Sequence, residues 1–454
     1  MAAALDPEQV IAQLTREFPQ AEQYWVAYSG GLDSSVLLHL LADHRDRLTG
    51  ALSAIHVDHA LQPGSRDWTA HCRRQCAQRD IPITVLTVDA GAAPGESPEA
   101  AARAARYAAI AEVVGPAAML LTAHHQDDQA ETLLLQLLRG AGVDGLAAMP
   151  AVRAWHGGWL ARPLLGVQRK QIHAWARSRQ LSWIEDPSNK HTEADRNFLR
   201  QQVMPLLAER WPSAGSSLAH SAALCADAAA ALRREAATDF ASLASADQDR
   251  LDVTALCDMG EARAREVIRF WLRCMGVPPI PSRRLHEALA QFCQARDDAQ
   301  VEIDWNGYSL RRFRRQIWLV GKLAAPGAGL SAWTGETREL GPGLGRLHCI
   351  EAPGGIDPQL FTTANVQIGY RIDGLRCRPA GRAGTRSFKK IAQEHGIPPW
   401  LRDRLPVVFV DGQPAAIPNC CICEPFAIHE GVGLHPRWIP AVALTREAKS
   451  FPAK

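Results

Sequence analysis

Ser29-Gly30-Gly31-Leu32-Asp33-Ser34 sets two adjacent glycines, a carboxylate and two hydroxyls between an apolar run, residues 24–28, and a run of helical character from Ser34. Adjacent glycines leave backbone N–H groups uncovered, and a helix starting at the same place points its positive dipole end there. The chemistry this predicts is a cradle for phosphate, with Asp33 as a ligand for a magnesium ion on the phosphates. No lysine follows the glycines, which excludes the Gly-x-x-x-x-Gly-Lys-Ser/Thr loop, and the chain has no Gly-x-Ser-x-Gly elbow.

A second dense cluster is Thr122-Ala123-His124-His125-Gln126-Asp127-Asp128-Gln129-Ala130-Glu131-Thr132. A helix beginning near Asp127 stacks Asp127 on Glu131 and Asp128 on Glu131. Like charges so placed repel, so the pattern predicts a cation between them, either Mg²⁺ or an ammonium group. The two histidines add phosphate donors or a proton carrier. In Ser97-Pro98-Glu99, serine as cap and proline at the first helical position start a helix that carries Arg103 and Arg106 one turn apart. Two such guanidinium groups can clamp phosphate or pair with Glu99. His56, Asp58 and His59 lie where a strand should end, and Arg196 and Arg200, four apart, share a helix face that can meet phosphate or solvent.

These groups need a scaffold. Candidate strands at residues 25–28, 52–57, 83–88, 119–123 and 159–161 alternate with helices starting at Ser34, Arg66, Ser97, Asp128 and Gln168. Such alternation predicts an α/β fold, a mainly parallel sheet with helices on both faces, whose ligands sit at the carboxyl ends of the strands. The pattern changes near Met204-Pro205. Expected domains are 1–210 (catalytic), 211–323 (helical) and 330–454 (small α+β), with 324–329 as a linker.

Between Arg371 and Arg404 nine basic residues stand against three acids, with Phe388 and Trp400 interleaved. Arg382, Arg386, Lys389, Lys390, Arg402 and Arg404 so placed fit a phosphate backbone, with the two aromatics as stacking platforms. A second basic run is Arg311-Arg312-Phe313-Arg314-Arg315. The overall formal charge of +2 is too small to announce a nucleic-acid partner without such patches. Eleven cysteines without a framework, and an amino terminus lacking a basic region before an apolar core, predict a cytoplasmic chain of reduced, inert thiols. Cys420-Cys421-Ile422-Cys423 lacks paired Cys-x-x-Cys spacing, and no apolar stretch is long enough for a membrane span.

The 29–34 run resembles the PP-loop of the ATP pyrophosphatases, which split ATP between its α and β phosphates to adenylate an oxygen. With the 56–61 turn, Ser-Pro-Glu-x-x-x-Arg-x-x-Arg-Tyr at 97–107 and His-His-x-Asp-Asp-Gln-x-Glu-Thr at 124–132, the ordered set resembles the tRNA(Ile)-lysidine synthetases. Arg139-Gly140 to Met149, Arg162-Pro163-Leu164-Leu165, Asp186-Pro187-Ser188-Asn189 and the runs at 384–390 and 397–404 extend the likeness to both ends of the chain. The resemblance implies attachment of lysine to carbon 2 of the wobble cytidine of isoleucine tRNA, with ATP and Mg²⁺ and release of AMP and pyrophosphate. It implies ATP held by Ser29, Gly30, Gly31, Leu32, Asp33 and Ser34, with His56, His59 and Arg106 nearby. Mg²⁺ would lie on Asp33 and Asp128. Arg103 would act at the reacting phosphates, and one of Asp127, Asp128 and Glu131 would serve the lysine amine. Rival readings are a tRNA thiolase, which should carry paired Cys-x-x-Cys ligands, an amidotransferase, which should carry a glutaminase segment, and a tRNA-binding module with a decayed site, which should have lost some of these carboxylates.

Overall fold

The computed structural model describes residues 4–58, 65–88, 98–185, 195–245, 249–296, 299–321, 325–327, 329–370 and 374–440. The chain divides into two compact units, residues 1–232 and 233–454.

The first unit is built on a six-stranded sheet. Its strands are β1 (Gln23–Ala27), β2 (Ala51–Asp58), β3 (Ile83–Thr87), β4 (Ala118–Leu121), β5 (Val152–Trp155) and β6 (Gly158–Ala161), in the order β3-β2-β1-β4-β6-β5. All pair in parallel except β5, which runs antiparallel to β6. The helices are α1 (Leu32–Asp43), α2 (Ser65–Ala77), α3 (Pro98–Val113), α4 (Gln126–Leu138) and α5 (Arg169–Ser178). β4 is buried along its whole length, as a strand covered on both faces must be. In α1, Val36, Leu37, Leu38, Leu40 and Leu41 are fully buried, and every residue from Ser34 to Ala42 is buried, so this helix sits inside the unit. Each such leucine contributes roughly 1.5–3 kcal/mol by leaving water, which anchors the loop before the helix.

The expected strands are present within two or three residues of their predicted ends. β5 was not foreseen. It joins β6 through His156 and Gly157, both at positive φ (46° and 80°), which is the primed turn that suits a two-residue hairpin.

In the second unit, α6 (Val253–Asp258), α7 (Glu261–Cys274) and α8 (Ser282–Gln294) pack around buried Trp271, Leu285 and Phe292. This helical region also contains a four-stranded antiparallel sheet, β7 (Arg250–Asp252), β8 (Glu302–Trp305), β9 (Tyr308–Phe313) and β10 (Gln316–Val320), ordered β7-β10-β9-β8. The basic run 311–315 forms the β9–β10 hairpin. Arg312 within it is a buried cap: its Nη1 donates to the carbonyls of Phe292 and Ala295, at 2.7 and 2.6 Å, closing the end of α8. The rest of the unit carries a five-stranded sheet ending at Cys421–Ile422, a three-stranded sheet, and a two-stranded ribbon of Arg376–Cys377 with Arg386–Ser387.

The expectation of unpaired thiols needs correction: Cys257 of α6 and Cys293 of α8 are joined by a disulfide. No helix among the described residues is long and apolar enough to cross a membrane.

Candidate active site

β1 lies between β2 and β4, so chain leaving β1 and chain leaving β4 emerge side by side at the carboxyl edge. That is where the strand order reverses and where an open parallel sheet holds its ligands. Two motifs some ninety residues apart meet there for this topological reason.

The first loop depends on Gly30. Its φ is +81°, and a Cβ built there would stand 2.9 Å from Cys72 Sγ, so both conformation and space call for glycine. Ser34 Oγ accepts from the Ser29 N–H (3.3 Å), Ser29 Oγ accepts from the Gly31 N–H (3.3 Å), and Ile184 N–H donates to the Gly30 carbonyl at 2.9 Å. The loop is thereby fixed with the first-turn N–H groups of α1 behind it, the arrangement that favours a bound anion.

His125 caps α4. Its N–H donates to Asp128 Oδ2 at 2.9 Å, and its ring spans the two motifs, with Nε2 3.7 Å from Asp33 Oδ2 and 3.5 Å from Asp128 Oδ2. Burial alone would push the imidazole pKa down, but the carboxylates of Asp33, Asp128 and Asp127 outweigh it and raise it. His125 therefore links cradle to carboxylate turn, with its ring within 3.7 Å of a carboxylate oxygen from each, a role the sequence did not disclose. Asp127 Oδ2 accepts from the Arg169 N–H at 2.8 Å and so caps α5, while its side chain stays 43% exposed.

The cation expected between Asp128 and Glu131 is supplied by the protein itself. Arg196 donates to Glu131 Oε2 (2.9 Å) and Asp128 Oδ1 (3.0 Å), and Arg200 donates to Glu131 Oε1 and Asp128 Oδ1, both at 2.7 Å. Glu131 and Asp128 are buried. Burial opposes ionisation of Asp128, yet His125, Arg196 and Arg200 hold its pKa below the ordinary carboxylate value. Asp128, expected as a metal ligand, accepts hydrogen bonds on both oxygens, Oδ1 from the two arginines and Oδ2 from the His125 N–H. One Asp33 oxygen, Oδ1, is buried without a hydrogen-bond partner, which fits a cation on the phosphates.

His56 is buried and donates from Nδ1 to the Tyr28 carbonyl at 2.9 Å, behind the cradle. His59, Ser97 and residues 186–189 lie outside the described residues. Arg103 and Arg106 sit on the exposed face of α3, Arg103 with its guanidinium 5.2 Å from the Tyr107 ring centroid. Arg162 is buried after β6 and donates to the Pro150 carbonyl at 2.7 Å.

His124 bonds Thr122 Oγ1 through Nδ1 at 2.9 Å. Burial, with Arg162, Arg196 and Arg103 nearby, pushes its pKa down to about 3. A folded pKa below the unfolded 6.5 means stability is complete above pH 6.5 and is lost as pH falls toward 3, because only the unfolded chain takes up the proton. Between pH 7 and pH 5, His124 accounts for about 2 kcal/mol of that loss. Urea unfolding of His124→Gln at the two pH values should show a correspondingly smaller loss than the parent chain; equal losses would contradict the assignment.

In the carboxyl-terminal region Lys389 and Lys390 are exposed on α9 (Phe388–Glu394), whereas Arg382 and Arg386 both pair with Glu394. Arg402 and Arg404 donate to the carbonyls of Ile397 and Trp400, at 3.0 and 2.8 Å. Phe388, expected as a stacking platform, is 4% exposed and belongs to the core. Trp400 is half-buried edge-on to Phe313 and Trp318 and lines a cleft of about 770 Å³ with Arg284, Tyr308, Arg311 and Arg404.

A glycine cradle at the switch point of a parallel sheet, facing a second strand-to-helix turn, defines a PP-loop domain, and the family model described as PP-loop domain matches residues 5–207. Models described as TilS substrate binding domain and TilS substrate C-terminal domain match residues 251–318 and 366–438. The tRNA(Ile)-lysidine synthase of Methylococcus capsulatus is 42% identical over 87% of this chain and 90% of its own. That of Alkalilimnicola ehrlichii is 41% identical over 95% and 96%, and that of Escherichia coli O157:H7 is 40% identical over 87% and 91%. The chain belongs to the tRNA(Ile)-lysidine synthase family.

Proposed function

We propose that this chain forms lysidine on isoleucine tRNA in the cytoplasm, joining lysine to carbon 2 of the wobble cytidine at the expense of ATP. The observation that carries the reading is the meeting of the 29–34 cradle with the 125–131 turn through His125 and Asp33.

The carbon 2 carbonyl of cytosine is a poor electrophile because its oxygen leaves badly. Adenylation solves this: the oxygen bonds to the α phosphorus as pyrophosphate departs, the ε-amine of lysine attacks carbon 2 and loses a proton, and AMP leaves with the oxygen. The cradle N–H groups and the α1 dipole stabilise charge that builds on the phosphates, and Arg103 and Arg106 stand on a neighbouring helix as further phosphate ligands. A magnesium ion, held by Asp33, would supply positive charge to the same oxygens. The attacking amine must be neutral. Of the three carboxylates in the turn, Asp127 is the exposed one and can be reached without breaking the arginine pairs of Asp128 and Glu131.

Residues 1–210 would do the chemistry. The regions 211–323 and 330–454 would grip tRNA, chiefly through Lys389, Lys390, Arg382, Arg386, Arg402, Arg404 and the Trp400 cleft. The test is incubation with ATP, Mg²⁺, labelled lysine and mixed tRNA. Label should enter tRNA, one lysine per AMP, and Lys389→Ala/Lys390→Ala should need more tRNA and show a flatter salt dependence. Failure of lysine to enter tRNA, with sulfur or ammonia entering instead, would overturn the reading.

A further inference from the structure

The thiols of Cys377, Cys421 and Cys423 converge. Their sulfurs all lie within 4.8 Å of one another, and no other group of three His, Cys, Asp or Glu side chains among the described residues is drawn together in this way. Cys377 and Cys423 are buried, Cys421 is half-buried, and none of the three is in a disulfide. The approach is built into the backbone. Ala380 N–H donates to the Ile422 carbonyl (3.0 Å), Glu424 N–H to the Arg378 carbonyl (2.8 Å), and Cys423 N–H to the Ala415 carbonyl (2.8 Å). These bonds lay the chain after Cys377 along the outer edge of the five-stranded sheet, bringing a cysteine from a distant part of the sequence onto the Cys420–Cys423 run.

From these sulfurs we propose that Cys377, Cys421 and Cys423 form a three-thiolate site for a soft metal cation of the zinc kind. Zinc bonds thiolate sulfur at about 2.3 Å, so two sulfurs on one tetrahedral ion stand about 3.8 Å apart. A triangle with no edge above 4.8 Å closes onto such an ion by side-chain adjustments of less than about 1 Å. Three sulfurs with no carboxylate in the set select a soft or borderline ion over Mg²⁺ or Ca²⁺. Cys421 is the one member of the set that is not fully buried. Bound there, the ion ties the 376–387 ribbon, which carries Arg382 and Arg386, to the sheet edge at Cys421–Ile422. Nothing in this depends on the reaction at the cradle.

The full chain, purified under reducing conditions and freed of metal, should take up one equivalent of Co²⁺ with sulfur-to-cobalt charge-transfer absorption. Zn²⁺ should displace the Co²⁺ with a dissociation constant below about 1 μM. The band should vanish in Cys423→Ser and in Cys377→Ser and persist in Cys225→Ser, whose thiol lies elsewhere. Absence of a thiolate band in the unsubstituted chain, zinc binding weaker than about 1 μM, or a band unchanged in both site variants would each overturn the proposal. The unsubstituted chain decides the matter even if a variant folds poorly.

Discussion

Asp33→Ala is expected to abolish AMP release from ATP, by at least about 100-fold, while tRNA affinity stays within about threefold. Asp33 is the second residue of α1, with one oxygen near His125 and the other buried without a partner. A carboxylate oxygen left without a hydrogen bond costs free energy unless something binds it. The metal ion on the triphosphate is the natural partner. Removing the side chain should not unfold the domain, because α1 is held by its five fully buried apolar residues and Asp33 itself is 30% exposed. The proposed tRNA contacts lie in the other unit of the chain. The measurement is AMP release alongside tRNA binding on the same preparation. Comparable loss of both would make Asp33 a structural residue.

Arg200→Ala is expected to destabilise the first unit by about 3 kcal/mol, at the low end for breaking a buried pair because the guanidinium is itself 29% exposed. It would leave Glu131, 2% exposed, with Arg196 as its one remaining partner among the ion pairs described, and Asp128 with Arg196 and His125. Replacing both ends together, Arg200→Leu with Glu131→Leu, should recover a substantial part of the loss, since a packed apolar pair often does as well as a buried ion pair. Urea unfolding of the three proteins measures this. A loss under about 1 kcal/mol in Arg200→Ala, or a double variant worse than the single, would mean the pairs contribute little.

How legible the site was depended on sequence distance. The cradle could be read because glycines, carboxylate and helix start are contiguous, and Gly30 is required where it stands. The 124–132 turn was legible for the same reason, as a dense group of acids on one helix face. The arginines that pair with them were hidden, because Arg196 reaches Glu131 from 65 residues away, across a fold the local pattern does not encode. The His125 link was hidden likewise, since it follows from β1 and β4 being neighbours. Side-chain direction defeated two other readings. Phe388 looked like a platform among lysines but faces the core, and Arg312 looked like part of a charged surface but caps a buried helix end. The α/β alternation exposed the parallel sheet, whereas the short strands of the 250–320 region, one of them heavy with arginine, resembled helix or loop.

The central claim is that the cytosine oxygen is adenylated before lysine arrives. It can be followed directly by placing ¹⁸O at the carbon 2 carbonyl of the wobble cytidine and determining by mass spectrometry where the label goes. Adenylation predicts that AMP carries the ¹⁸O, one atom per lysidine formed. Appearance of the label in water or in pyrophosphate, with AMP unlabelled, would contradict the mechanism.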